Sequence, residues 1–485
     1  MPRHTYALVA CARWEEAYIR EWIEYHRAIG FDHIYLYSND DDPAPLFSAV
    51  SAYLYGRDPF VTFRHWPVLG DQRRIYLHFL ATFKQDTEWF CFLDIDEFIV
   101  LKDIDDIGVF MRDYRDHVDC LYFHWAVFGN TFRKHRSAGS ALMTYLFRAH
   151  FINPHTKMLC RSAAIDAAAV RKGLDDGFGA FWHFLDNYHL PGVRCRDVLN
   201  GSTEGYSADF PNSARPFLSR PGFTPDILAR AYIAHYQFKS EGDFMRRWRR
   251  GGFSNREFWR ETYETGLHKE ILAELNQVYD PYLAAYWHRY TQTGLVLGPQ
   301  PGEPPSTHPS FAHANVALRK PAWASSVSDE PVQGWSAEGW TGNRNGGAAN
   351  DGIIRGLSGF RTAPEERPWW IVDLLAVHQI DSIRLFGGNP QTGAAAPAPA
   401  LEILASVDGG AWTHIRRHAG AIPGPNDGAL VIKSPTGTRA RFVMLRLAGE
   451  GCLDIDEVEV YGIPTGEDPP LQADALTPAA LRGIG

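Results

Sequence analysis

The sequence has no long uninterrupted apolar segment. Nowhere in its 485 residues does a run approach the roughly 18 apolar residues that a membrane-spanning helix needs. The first residues, MPRHTYALVACARWEE, also lack the apolar core and small-residue cleavage site of a signal peptide. The sequence therefore predicts no transmembrane segment and no export.

Paired cysteines and an excess of positive charge are also missing. The six cysteines are scattered without CxxC spacing, which favours a reduced, cytoplasmic protein. The formal net charge is -9, whereas a protein that binds nucleic acid in bulk normally carries a basic face. We therefore expect no nucleic-acid partner.

Changes in composition divide the chain. A proline-rich stretch, GPQPGEPPSTHPS, separates two regions with different patterns, and a Pro-, Gly- and Ala-rich tail follows the second. The predicted organisation is a first domain over 1–297, a linker over 298–310, a second domain over 311–463 and a flexible tail over 464–485.

The first region alternates strands and helices. The strand patterns are the run 6–12, FDHIYLYSND, VTFRHWPV and EWFCFLDIDEF, and the helical patterns are WEEAYIREWIEYHRAIG and RRIYLHFLATFKQ. This alternation predicts an α/β, Rossmann-like domain with a mostly parallel sheet. Such sheets bind ligands beyond the carboxyl ends of their strands.

The pentapeptide LDIDE occurs twice, and its first copy ends a continuous apolar strand. Asp94 and Asp96 are two residues apart, so on an extended chain they face the same side, with about 6 to 7 Å between α-carbons. Paired carboxylates suit Mg²⁺ or Mn²⁺, whose remaining positions are filled by phosphate oxygens and water. The alternative is a solvated acidic turn after a buried strand.

The ordered motifs favour the first interpretation. CARWEEAYIREWIEYHRAIGFDHIYLYSND, HWPV, DQRRIYLHFL, WFCFLDIDEFI, FHWAVFGN, KMLCRS and AHYQFKSEGDFMRRWRRGG follow one another over about the first 260 residues. This series resembles GT-A glycosyltransferases, specifically glycosyltransferase family 92 and related family-2-like enzymes. The resemblance implies a GT-A fold and the transfer of a sugar from a nucleotide-diphosphate donor.

The resemblance also implies roles for individual residues. Asp94 and Asp96 match the DxD element that holds the divalent cation and contacts the donor, and His235 matches a late histidine of the metal or diphosphate site. The other implied donor-contacting residues are Arg13, Glu15, Asn39, Asp40, Gln72 and Lys239. Each has an ordinary alternative, such as a turn residue at Asn39 and Asp40, a packed histidine at His235 or a solvated lysine at Lys239.

An inverting enzyme also needs a carboxylate base that deprotonates the acceptor hydroxyl. The candidates are Asp186, in WHFLDNYH, and Glu97, which can serve only if the chain turns after Asp96.

Four arginines, Arg246, Arg247, Arg249 and Arg250, surround Trp248. They are expected to bind diphosphate or an anionic acceptor, to contact an acidic membrane surface peripherally, or to form a solvated helix face.

The second region contains short strand patterns separated by Gly, Pro and Asp turns, among them WWIVDLL, QIDSIRLFG, LEILASVDG, ALVIKS, RFVMLRL and DEVEVYG. This pattern predicts an all-β antiparallel sandwich. In the second LDIDE the apolar residues change from odd positions, Leu453 and Ile455, to even positions, Val458 and Val460. This change near Asp456 and Glu457 predicts a β-bulge.

The order of these motifs, from NVALRKPAWASS to ARFVMLRL, resembles discoidin-like, galactose-binding-like jelly-roll modules related to carbohydrate-binding family 32. The resemblance implies a structural Ca²⁺ held by Asp351 and Glu457. Trp323, Trp335 and Trp340 are candidates for stacking on a glycan or for packing in the core.

These observations predict a metal-dependent, hexosyltransferase-like glycosyltransferase with a β-sandwich module. It would use a nucleotide-diphosphate sugar and a saccharide acceptor, in the synthesis of surface polysaccharide or glycoconjugate. The alternative is a non-catalytic carbohydrate-binding protein that retains the GT-A scaffold.

Overall fold

The structure is a computed structural model. It describes residues 2–56, 58–102, 104–136, 139–175, 181–184, 190–206, 211–250, 256–292, 314–328, 349–352, 354, 359–388, 399–420, 422–423, 429–482 and 484.

The described strands are, in chain order, β1 His4–Ala12, β2 His33–Ser38, β3 Val61–His65, β4 Thr87–Phe92, β5 Glu97–Leu101, β6 Cys120–Val127, β7 Phe147–Arg148, β8 Asn153–Arg161, β9 Cys195–Asp197, β10 Ala231–His235, β11 Val278–Tyr279, β12 Ala314–Asn315, β13 Ala322–Ala324, β14 Phe360–Arg361, β15 Glu365–Glu366, β16 Trp369–Gly387, β17 Leu401–Ser406, β18 Thr413–His418, β19 Leu430–Lys433, β20 Arg439–Leu447, β21 Glu450–Gly451 and β22 Asp454–Pro464. The described α-helices are α1 Ile19–Ala28, α2 Ala44–Val50, α3 Gln72–Thr82, α4 Ile107–Phe110, α5 Ala141–Thr144, α6 Ala167–Asp175, α7 Arg215–Leu218, α8 Phe223–Arg230, α9 Glu241–Arg250, α10 Arg256–Glu264, α11 His268–Leu275, α12 Tyr282–Gln292 and α13 Pro478–Arg482.

The described residues form two compact units that do not follow one another simply along the chain. The first comprises Met1–Phe128, Ala149–Gln237 and Arg246–Ile271. The second comprises Gly129–Arg148, Phe238–Met245 and Leu272–Gly485. Three segments that precede the proline-rich stretch therefore group with the second unit.

The first unit is built on a mixed sheet with the strand order β3-β2-β1-β4-β8-β6-β10-β5, and β9 pairs with β6. The half formed by β3, β2, β1 and β4 is parallel, as predicted. Antiparallel pairs occur in the other half, where β8 lies between β4 and β6 and β5 pairs with β10. The predicted α/β class is confirmed, and the GT-A-type sheet is parallel-rich, not uniformly parallel.

The helices cover this sheet with apolar residues at helical spacing. On α3, Ile75, Tyr76, Phe79 and Leu80 are buried in the same cluster as Val9 of β1. On α1, the Trp22 Nε1–H donates to the Glu97 carbonyl at 2.8 Å and the Tyr25 hydroxyl donates to the Ile99 carbonyl at 2.7 Å. These bonds fix α1 against β5, the strand that follows the first LDIDE.

The second unit contains an antiparallel sheet with the order β12-β22-β16-β20-β17-β18, to which β13, β14 and β19 also pair. The two predicted strands WWIVDLL and QIDSIRLFG are one continuous strand, β16, whose register with β20 shifts between Asp373 and His378. The shift lets one strand bend between two sets of partners. The predicted all-β, discoidin-like sandwich class is confirmed.

The predicted bulge in the second LDIDE is also confirmed. Phe386 of β16 is opposite Glu457, whereas the next residue, Gly387, is opposite Ile455, so β22 has one extra residue at Asp456. Val458 and Ile455 consequently both lie in the apolar core of the sheet.

Candidate active site

The ends of three adjacent parallel strands define the candidate site. In register, Ala12 of β1 is opposite Ser38 of β2, and Val9 of β1 is opposite Phe92 of β4. The segments that follow these strands therefore start at one edge of the sheet. They contain most of the residues that the resemblance implied, which are Arg13, Glu15, Asn39, Asp40, Asp94 and Asp96.

Asp94 lies between an amide and an ammonium group. Gln72 Nε2 donates to Asp94 Oδ1 at 2.8 Å, and Lys157 Nζ donates to Asp94 Oδ2 at 2.9 Å. The side chain remains 32% exposed, so one edge of the carboxylate is open to a ligand. Burial alone would raise the pKa of Asp94, but Lys157 outweighs it and the pKa is lowered. Asp94 is therefore an anion at neutral pH.

Asp96 is more deeply buried, and its contacts include an arginine and a histidine. Its Oδ2 accepts from Arg247 Nη1 at 3.0 Å, and its Oδ1 lies 3.5 Å from His235 Nε2. Burial lowers the pKa of His235, with Asp96 opposing that effect. The imidazole is therefore neutral at pH 7, the form in which histidine binds metals.

Glu97 is completely buried and points back toward Asp94. The chain turns between the two residues, because the Glu97 N–H donates to the Asp94 carbonyl at 3.0 Å. Glu97 Oε2 accepts the Asp94 N–H at 2.9 Å and lies 3.2 Å from Lys157 Nζ. Burial raises the pKa of Glu97 despite the opposing charge of Lys157. With no exposed surface, Glu97 is placed to hold Asp94 and is not placed to reach an acceptor hydroxyl.

The loop that follows β1 is held by charged contacts. Arg13 Nη1 donates to the Asn39 carbonyl at 2.6 Å, and the Trp14 N–H donates to Asp40 Oδ1 at 2.7 Å. Trp14 has φ +57, an uncommon conformation for a bulky residue, and the Asp40 contact stabilises it. Asn39 Nδ2 donates to the Trp66 carbonyl at 2.7 Å, so this amide holds the segment that follows β3.

Three of the four clustered arginines also contact this loop or Asp96. Arg250 Nη1 donates to Glu15 Oε1 at 2.5 Å, and Arg246 Nη2 donates to Glu16 Oε1 at 2.6 Å. Only Arg249 of the four is exposed in the described helix. The interpretation as a uniformly solvated helix face is therefore wrong for Arg246, Arg247 and Arg250, and membrane contact stays a prediction.

Asp186 is outside the described residues, and so are the proline-rich stretch, Trp335 and Trp340. Lys239 is buried, has φ +47 and belongs to the second unit. Their predicted roles stay predictions.

In the second unit, the residues implied for calcium lie on one loop and one strand that meet. The Gly352 N–H donates to Glu457 Oε1 at 3.0 Å, which brings the loop containing Asp351 to β22. Trp323 is buried in the core against Tyr279, with ring centroids 5.1 Å apart. Trp323 therefore packs and is not an exposed surface for a glycan.

Sequence reasoning missed Lys157 and Trp14 and gave Arg247 no single role. A lysine at the centre of the buried strand β8 is itself a signal, since fully buried lysines are nearly always paired with carboxylates. Its partners could not be identified, because Asp94 is 63 positions away along the chain.

The side chains at the site supply part of the ligand set of a divalent cation. Within the described residues, no group of three or more His, Cys, Asp or Glu side chains is close enough to form a complete metal site. However, Asp94, Asp96 and neutral His235 supply oxygen and imidazole donors, and His235 Nδ1 is buried without a hydrogen-bond partner. Mg²⁺ and Mn²⁺ commonly use one or two protein carboxylates and take their other ligands from phosphate and water. The donor set fits such an ion once a diphosphate is present.

The first unit combines a parallel-rich sheet with two aspartates that follow β4, which is the arrangement expected of a GT-A-type fold. Comparison with known families agrees with this class: residues 8–171 match the model of glycosyltransferase family 92, and residues 321–458 match that of the F5/8 type C domain. The resemblances inferred from the motifs are therefore confirmed for these two segments.

Curated relatives support the first assignment. A glycosyltransferase family 92 protein of Oryza sativa subsp. japonica is 27% identical over 113 residues, which are 23% of this chain and 19% of the relative. One of Ricinus communis is 31% identical over 101 residues, which are 20% of this chain and 17% of the relative. The chain thus spans less than a fifth of the length of these relatives.

Solved structures similar to part of the chain include two that are named for fucose binding. A fucolectin from Morone saxatilis is 24% identical, with a TM-score of 0.26, over 33% of this chain and 52% of that one. A fucose-binding module of Streptococcus pneumoniae is 21% identical, with a TM-score of 0.24, over 31% of this chain and 96% of that one.

No helix in the described part of the chain combines the length and apolar character that a bilayer crossing requires.

Proposed function

We propose that the protein is a metal-dependent, hexosyltransferase-like glycosyltransferase. It transfers a sugar from a nucleotide-diphosphate donor to a saccharide acceptor in the cytoplasm, in the synthesis of surface polysaccharide or glycoconjugate. The observation that carries the proposal is the pair Asp94 and Asp96 at the end of β4, where neutral His235 and three cationic side chains, Lys157, Arg247 and Arg250, surround them.

The residues act by electrostatics. When bound, a divalent cation would neutralise the leaving diphosphate. Asp94, fixed by Gln72 and Lys157, and Asp96, beside His235, would hold that ion. The loop from Arg13 to Glu15 and the turn at Asn39 and Asp40 would position the nucleoside. Glu97 acts on Asp94, and Asp186 remains the candidate base for an inverting reaction.

The test is transfer from a panel of UDP- and GDP-sugars with Mn²⁺ for wild type, Asp96→Asn and Asp116→Asn. Asp116 is an exposed aspartate of the same unit and serves as the control. Since a metal contributes several kcal/mol of transition-state stabilisation, Asp96→Asn should lose ~100-fold or more in kcat/KM. Folded wild type that binds no nucleotide sugar with or without Mn²⁺ would contradict the proposal and favour a non-catalytic carbohydrate-binding protein.

We further propose a structural Ca²⁺ in the sandwich at Asp351 and Glu457. The supporting observation is the Gly352-to-Glu457 hydrogen bond of 3.0 Å, which holds the loop beside the strand, and backbone carbonyls and water would supply the remaining oxygens that Ca²⁺ requires. Ca²⁺ should raise the melting temperature of wild type and of the exposed control Glu450→Gln. It should leave Glu457→Gln unchanged. An equal response of all three proteins to Ca²⁺ and EDTA would place the ion elsewhere.

A further inference from the structure

Helix α9 directs three guanidinium groups at the candidate donor site. Arg246 and Arg250 are four residues apart and so lie on one face of the helix, with Arg247 beside them. Arg246 and Arg250 bind Glu16 and Glu15 in the loop after β1. The end of the helix is therefore anchored next to the DxD aspartates.

Arg247 contacts the second aspartate of the DxD pair. Its Nη1 lies 3.0 Å from Asp96 Oδ2 and 3.1 Å from the Gln237 carbonyl. The Asp96 side chain is only 9% exposed. A carboxylate so buried is costly without a cation. In the absence of metal, Arg247 therefore neutralises Asp96.

The guanidinium and a metal ion compete for this carboxylate. A divalent cation bound to Asp96 would share this carboxylate with the guanidinium group 3.0 Å away, and the two positive charges would repel each other. The Arg247 side chain is 27% exposed, so it has space to rotate while Arg246 and Arg250 keep the helix in place. The planar fork of arginine matches phosphate oxygens, which a metal-bound diphosphate would bring next to Asp96.

We infer that Arg247 is an exchangeable cation of the donor site. It neutralises Asp96 while the site is empty, releases Asp96 to the metal, and then binds the diphosphate of the nucleotide donor. The inference rests on the proposed glycosyltransferase function and assigns to Arg247 the recognition of the diphosphate, as distinct from the base or the sugar.

The experiment measures Mn²⁺ binding and nucleotide binding separately, in the full-length protein. Mn²⁺ is titrated alone, followed by electron paramagnetic resonance. UDP, GDP, uridine and guanosine are then titrated calorimetrically at saturating Mn²⁺. The variants are Arg247→Met, Arg247→Lys and the control Arg249→Met, which changes an exposed arginine of the same helix.

Removing the competing charge should strengthen binding of Mn²⁺ alone by about tenfold in Arg247→Met. The same variant should bind UDP or GDP about tenfold more weakly, because charge-assisted hydrogen bonds to the diphosphate are lost, and nucleoside affinity should not change. Arg247→Lys should bind Mn²⁺ like wild type and the diphosphate with intermediate affinity. Arg249→Met should match wild type throughout.

Each other outcome has a definite meaning. The exchange is overturned if wild type binds Mn²⁺ and nucleotide and Arg247→Met binds both with the affinities of Arg249→Met. That result leaves the proposed glycosyltransferase function standing. Weaker Mn²⁺ binding in Arg247→Met also overturns it, because Arg247 would then support the metal. If Arg247→Met does not fold, Arg247→Lys decides: diphosphate affinity equal to wild type overturns the role of the fork. Wild type that binds neither Mn²⁺ nor any nucleotide overturns both proposals.

Discussion

At the scale of single residues, Lys157 determines the charge state of the DxD segment. Its side chain is fully buried, and its ammonium group contacts Asp94 at 2.9 Å and Glu97 at 3.2 Å. Burial would lower the pKa of Lys157, but the two carboxyl groups outweigh it and raise that pKa. Lys157 therefore remains charged, and it fixes the first aspartate in the orientation that leaves one edge open.

Replacing Lys157 should destabilise the first unit strongly. Lys157→Met leaves the buried Glu97 and the partly exposed Asp94 without their cation, and breaking a buried ion pair typically costs ~3–5 kcal/mol. Denaturant unfolding followed by circular dichroism should show an earlier first transition. The double variant Lys157→Met with Glu97→Gln should recover part of the loss, because one of the buried acids is then neutral.

Lys269→Met is the matched control, since Lys269 is an exposed lysine of the same unit. If Lys157→Met unfolded at the same denaturant concentration as Lys269→Met, the ion pairs seen here would contribute nothing measurable. The role of Lys157 in positioning Asp94 would then be wrong.

The aspartates of this site could be predicted from the sequence, and their cationic partners could not. Asp94 and Asp96 are two residues apart and directly follow an apolar strand. The local pattern, together with the rule that parallel sheets bind ligands beyond the carboxyl ends of their strands, was therefore sufficient to predict them. Arg247 is 151 positions from Asp96, and its orientation depends on how α9 packs. Charge pattern alone therefore left diphosphate, membrane and solvent as alternatives for the arginine cluster.

At the scale of elements, the pairing of α1 with β5 carries a buried histidine. His26 on α1 is fully buried; its Nδ1–H donates to the Trp22 carbonyl at 2.8 Å, and its Nε2 accepts the Ile99 N–H at 3.4 Å. These contacts require the neutral ring. Burial lowers the pKa of His26 to about 3.

This histidine should make the first unit acid-sensitive. Below pH 6.5 the unfolded chain binds a proton at His26 that the folded chain does not. The stability that neutral His26 contributes to the fold is therefore complete above about pH 6.5 and is lost as the pH falls toward 3. Between pH 6.5 and 5 the free energy of unfolding should fall by ~2 kcal/mol from this group. In His26→Gln the unfolding free energy should depend less on pH over this interval.

The measurement is chemical denaturation at pH 7 and pH 5, with the exposed His117→Gln as control. His117→Gln should show the same change between the two pH values as wild type. An unchanged difference in His26→Gln would mean that folded His26 binds a proton as readily as the unfolded chain does, and that its Nε2 does not accept the Ile99 N–H.

Strand patterns in the second region predicted most of its elements but not their continuity. WWIVDLL and QIDSIRLFG each read as a strand, and nothing in the local pattern shows that β16 continues through both. Its shift in register is instead stabilised by long-range contacts. Asp373, at the shift, accepts from Arg441 Nε at 2.9 Å and from the Tyr279 hydroxyl at 2.7 Å. By contrast, the bulge at Asp456 was predictable because it reverses the local parity of apolar residues.

At the scale of the whole molecule, the second unit draws part of its core from segments that precede the proline-rich stretch. Phe147 and Tyr279 are buried in one cluster with Trp323, Trp369 and Phe442. Ring centroids of Tyr279 and Phe442 lie 6.2 Å apart, and those of Phe147 and Trp323 lie 5.9 Å apart. Composition predicts a linker over 298–310, but packing between distant segments decides which residues complete the core.

A fragment that starts after the proline-rich stretch should therefore be less stable than the same sheet in the full chain. Residues 311–485 lack Leu146, Phe147, Tyr279 and Ala284, so Trp323 and Trp369 lose buried partners. Burial of a large apolar side chain such as Leu146 or Phe147 contributes ~1.5–3 kcal/mol. The sandwich transition should fall by about 5 °C or more, and binding of a hydrophobic dye should increase. A longer fragment, 272–485, restores Tyr279 and Ala284. Its melting temperature should lie between that of fragment 311–485 and that of the sandwich transition in the full chain. Equal melting temperatures for both fragments and for the sandwich transition of the full chain would show that these upstream residues cover the sheet without stabilising it, and that the sandwich folds within 311–485 alone.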